Sequence, residues 1–80
     1  MSNAHEIFQA AYNGQTNFMT PDVISCRIHN GLAVEISQGH GFDRKRIFGV
    51  TVLETDGTKR PDLNKLFFSQ AKAEAYVETL

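Results

Sequence analysis

The sequence predicts an α+β fold: an N-terminal helix, a three- to four-stranded antiparallel meander, and a C-terminal helix packed on the sheet. Three observations predict it. Apolar and polar residues alternate on both sides of "HNG" within residues 23–37, the two-residue period of paired strands. The alternation returns in "IFGVTVLE", residues 47–54. Ala73, Tyr76, Val77 and Leu80 instead follow the i, i+3, i+4, i+7 spacing of a helix with one buried stripe. Eighty residues make a single domain, 1–80, since halves would be too small to bury a core. "SNA" after Met1 resembles a cloning scar and carries little weight in the fold.

The elements follow in order. Residues 3–13 read as a short helix with Ile7, Phe8, Ala11 and Tyr12 in one apolar stripe. Asn3 and Glu6 have the spacing of a capping box, and Gly14 suits the helix stop. Phe18 and Met19 read as plugs under the loop that Pro21 closes. In the hairpin, a three-residue loop of His29, Asn30 and Gly31 sets Ile28 against Leu32, Cys26 against Val34 and Ile24 against Ile36. That register keeps one face wholly apolar, whereas a two-residue Asn30-Gly31 turn sets Cys26 against Glu35 and mixes the faces. The three-residue loop is therefore the predicted one.

In the third strand Phe48, Val50 and Val52 form a core face. Its other face holds Ile47, Gly49, Thr51 and Leu53, greasier than a solvated face should be. "TDGT" at 55–58 is a turn, Pro61 excludes a central strand, and "NKLFF" at 64–68 suits a short edge strand. Ser69 caps the last helix, "QAKAEAYVETL". The simplest arrangement puts both helices on one sheet face. The apolar second face of the third strand gives the first helix an alternative place to dock.

Net charge is −1, so the chain as a whole is no polyanion binder. The bases are unevenly placed: residues 27–46 hold Arg27, Arg44, Lys45 and Arg46 against Glu35 and Asp43. No apolar run approaches the roughly 20 residues needed to span a bilayer. The N-terminus also lacks the basic flank and apolar stretch of a signal peptide. With a single cysteine, Cys26, and no internal disulfide, the expected setting is the cytoplasm.

Chemistry is sparsely signalled. "GHGFDRKR", residues 39–46, lacks the spacing of a phosphate-binding P-loop. His5, Cys26, His29, His40 and Asp43 form no metal-ligand pattern, so no metal and no cofactor is expected. Cys26 and His29 point to opposite faces of a strand and cannot serve as nucleophile and base. The expectation is a protein that is not an enzyme.

Two binding readings remain. In the first, a protein partner or a second copy docks on the face of Ile47, Thr51 and Leu53. That reading requires the three to stay exposed or to pair across a dimer axis. In the second, Arg44, Lys45 and Arg46 grip nucleic acid, with His40, Arg27, Lys59 and Arg60 gathered on the same surface. A strand meander followed by a serine cap and an amphipathic helix, as in "LFFSQAKAEAYVETL", resembles the arm-binding amino-terminal domains of phage-type integrases. The resemblance is one of layout, and it implies a sheet laid in a DNA groove. Those domains are basic along their strands, whereas Arg27 and Glu35 share this hairpin. The protein partner is the first expectation and nucleic acid the alternative.

Overall fold

A computed structural model describes residues 3–13, 20–41 and 43–80 of the chain. Helix α1 (Ala4–Tyr12) precedes strands β1 (Asp22–His29), β2 (Leu32–His40) and β3 (Arg46–Glu54). A 3-10 turn at Pro61–Leu63 then leads to β4 (Lys65–Phe67) and helix α2 (Gln70–Glu78). The strands form one antiparallel sheet in the order β1-β2-β3-β4.

The Asn3 side chain accepts the N–H of Glu6 at 2.9 Å and starts α1. The stop is Asn13, left-handed at φ 54, whose N–H returns to the Gln9 carbonyl. Asparagine tolerates that conformation, so it takes the place expected of Gly14. Gly14, Phe18 and Met19 lie outside the described residues. Asn3 and Ala4 belong to the fold: one caps α1, and the other is buried in its core.

The helices pack on opposite faces of the sheet. Val34, Ile36, Phe48, Val50 and Val52 meet Ala73 and Val77 of α2 on one side. On the other, Ala33 and Leu53 meet Ala4, Ile7 and Phe8 of α1, with Cys26 and Tyr12 at the margin. The layering follows from β3, whose two faces are both apolar and need separate covers. Burying both amphipathic stripes separately also removes more apolar surface from water than stacking them on one face.

The hairpin register corrects the sequence expectation. His29 pairs with Leu32, Ile28 with Ala33, Arg27 with Val34 and Cys26 with Glu35. The turn is the two-residue Asn30-Gly31, with φ of 51° and 81°. Both central residues are left-handed, which suits the twist of antiparallel strands, and Asn-Gly supplies it at low cost. Turn chemistry outweighs a uniform apolar face. A register shift between Val23 and Ser25 restores part of the pattern. It leaves Ile24 as an extra residue, which packs with the α2 core, while Cys26 goes with the α1 core.

Candidate functional site

The β2–β3 loop carries the basic triplet. It is closed by the Gly41 N–H on the Lys45 carbonyl at 2.9 Å and the Arg44 N–H on the Gly41 carbonyl at 3.0 Å. The Asp43 carboxylate accepts the Lys45 N–H at 3.0 Å. Arg44 sits left-handed at φ 65. Asp43 thus has a structural role in shaping the turn, and it also sets a negative charge beside the cations. His40, Arg44, Lys45 and Arg46 are all exposed. Among the described residues none of them forms an ion pair.

The other three predicted bases lie at the far end of the sheet. Strand β2 is nine residues long, which separates its ends by about 27 Å. Arg27 sits near the Asn30-Gly31 turn and meets Glu78 of α2 at 3.0 Å. Lys59 lies over the Tyr12 ring, 4.6 Å from its centroid. Arg60 makes two hydrogen bonds to Asp62, at 3.1 and 3.0 Å, and approaches Glu54 at 3.7 Å. The seven bases therefore form no single surface, because an antiparallel meander sends alternate connections to opposite ends. The sheet laid in a groove also loses its free face, since α1 lies across it.

The apolar trio is likewise placed differently from expectation. Leu53 is 0% exposed and Ile47 6%. Leu53 belongs to the α1 core, and Thr51 is half-buried. The greasy second face of β3 is thus interior, not an interface.

Beneath α1, Cys26, Glu35 and Thr51 form one cross-strand row. Burial raises the Glu35 pKa, and His5 partly opposes the rise. Burial, reinforced by the Glu35 charge, pushes the Cys26 thiol up to about 11. The same two causes raise the pKa of the Tyr12 phenol. A thiol protonated at neutral pH is a poor nucleophile and a poor metal ligand. Among the described residues, no three of His, Cys, Asp and Glu gather closely enough to hold a metal ion. No helix among the described residues is long and apolar enough to cross a membrane.

Exposed apolar surface lies elsewhere, at the edges of the sheet. Val23 (48%) and Ile28 (45%) are on β1, and Leu66 (55%) and Phe68 (73%) lie on and just beyond β4. The side of β3 that faces β4 is occupied from Phe48 to Glu54. Lys65–Phe67 pair with Phe48–Val50, and the Asn64 side chain accepts the Val52 N–H at 2.8 Å. The Arg60 N–H bonds the Val52 carbonyl at 3.0 Å. Among the described residues, the outer edges of β1 and β4 have no strand beside them. The exposed β1 residues escaped the sequence reading because the wrong hairpin register put Ile28 in the core. "NKLFF" did carry a signal for Leu66 and Phe68, since an edge strand with apolar residues two apart exposes one face.

No family model matches the chain, and no curated protein or solved structure matches it.

Proposed function

We propose that the domain is a non-enzymatic binding module that takes up a protein partner at the edges of its sheet. The observation that carries this reading is the placement of Val23, Ile28, Leu66 and Phe68, all on or beside the two edge strands. An edge strand offers main-chain N–H and C=O groups for affinity, and its alternate side chains add specificity. The raised Cys26 pKa supports a role without covalent chemistry, and a lone cysteine suits a reducing compartment such as the cytoplasm.

A random library of displayed peptides, selected on the native protein, tests this reading. Enriched peptides should shift the amide resonances of β1 or β4 and lose affinity when Leu66 and Phe68, or Val23 and Ile28, become Ser. Peptides that bind with the edge amides unmoved, or no enrichment at all, would count against it.

The second reading is nucleic-acid binding by the β2–β3 loop. It is favoured by the exposure of His40, Arg44, Lys45 and Arg46 without intramolecular ion pairing among the described residues. Arginine there could make bidentate phosphate contacts.

A further inference from the structure

Strand β1 is eight residues long and, among the described residues, has no strand on its outer side. Its sequence is complementary to itself when reversed. We infer that the partner taken up at β1 is a second copy of this chain, joined β1 to β1 about a two-fold axis at Cys26. This inference rests on the edge-docking reading and gives one of the two edges its occupant.

The register follows from the pairing already present. Across the β1–β2 ladder, Cys26 faces Glu35, Ser25 faces Ile36, and the ladder then skips Ile24 so that Val23 faces Ser37. Applied to two copies of β1, the same skip sets Cys26 against Cys26, Arg27 against Ser25, Ile28 against Val23 and His29 against Asp22. Every opposed pair then lies on a common face, as antiparallel pairing requires. The half-exposed apolar residues Ile28 and Val23 cover each other, once on each side of the axis. The acidic Asp22 meets the imidazole of His29 rather than another acid. No like charges stand opposite one another.

The layers above the sheet fit as well. Helix α1 covers β1 and β2 and reaches Leu53 of β3, whereas α2 sits mainly over β2, β3 and β4. Strands about 4.8 Å apart would put the two α1 axes about 10 Å or more apart, which avoids a clash between them. Helix α2 reaches β1 only at its margin, through Glu78 on Arg27 and the core beside Ile24. A net charge of −1 per chain also leaves little repulsion between copies. The result is one eight-stranded sheet with the β4 edge at both ends.

Sedimentation velocity over a concentration series tests the assembly. The native chain should move from 8.9 kDa toward twice that mass. The Ile28→Lys variant should stay at monomer mass with an unchanged circular dichroism spectrum. In an equal mixture of isotope-labelled and unlabelled protein, filtered nuclear Overhauser spectra should connect the Val23 methyls of one copy to the Ile28 methyls of the other. A monomer at every concentration would overturn the inference. So would a dimer that survives Ile28→Lys or lacks the Val23–Ile28 contact. Peptide capture at β4 by such a monomer would leave the edge-docking reading standing, whereas loss of both would remove it too.

Discussion

Glu35 stands directly opposite Cys26 across the β1–β2 ladder, on the side of the sheet that α1 covers. A carboxylate there is partly desolvated, and burial raises its pKa against a smaller opposing effect of His5. The folded chain therefore holds a proton on Glu35 at pH values where the unfolded chain has released it. The stability linked to this group is fully present below the unfolded pKa and is lost as pH rises through the folded one. Glutamine never ionises, so Glu35→Gln should gain on the native protein as pH rises from 4 to 7. Thermal melts of both proteins at the two values check it. A melting difference that is constant, or larger at pH 4, would contradict the assignment.

The covering of that face by α1 makes a second prediction. Leu53 is fully buried against Ala4, Ile7 and Phe8. Leu53→Ala should lower stability by about 2–5 kcal/mol, the usual cost of emptying a core leucine site. Leu66→Ala, at an exposed edge position, should change it by no more than about 0.5 kcal/mol. Urea unfolding of the pair measures the contrast. Leu53→Glu should yield an unfolded chain rather than a folded protein with altered association.

The fold was largely legible because its strongest signals are local and repeated. The stripe at Ala73, Tyr76, Val77 and Leu80 carries its own period, and Ser69 and Asn3 announce the helix starts through their side-chain caps. The helix–sheet–helix layering was hinted at by Ile47 and Leu53, which need a cover. The hairpin was misread because two rules conflict there. Uniform burial favoured one register, Asn30-Gly31 chemistry favoured another, and a skip at Ile24 let the chain satisfy both in part. That error moved Ile28 from the surface to the core and hid the β1 edge. The site was less legible than the fold for a geometric reason. Spacing along the chain shows which bases are near one another in sequence, but not that Arg27 and Arg46 end at opposite ends of β2.

Two glycines separate strain from crowding. Gly31 lies at φ +81 with open space around a would-be Cβ, so Gly31→Ala should cost about 1–2 kcal/mol through backbone conformation alone. Gly49 has ordinary dihedrals, but an added Cβ would lie 3.0 Å from the Thr20 Oγ1 and 3.4 Å from Leu66. That hydroxyl is held by the buried Ser37 Oγ at 2.9 Å, so Gly49→Ala should cost about 1–3 kcal/mol by overpacking. Trimming Thr20 to Ala should recover part of the loss in the Gly49→Ala background, while the same change should do nothing for Gly31→Ala. A double-mutant cycle by chemical denaturation reads both couplings.

The basic loop decides between the two binding readings. Phosphate contacts release counterions, so their affinity falls steeply with salt. If the module binds protein strands, an amide-resolved titration with a mixed-sequence DNA duplex should leave Gly41–Arg46 unmoved at about 0.2 M salt. Any shifts at low salt should then be small and spread over exposed cations at both ends of the sheet. Shifts confined to His40, Arg44, Lys45 and Arg46, and abolished when the three consecutive bases become Ser, would make the loop a phosphate grip and favour the second reading. The triple change should leave peptide docking intact, because the loop lies at the end of the sheet and not along its edges. A variant that lost both properties at once would point to unfolding, and its circular dichroism spectrum would distinguish that case.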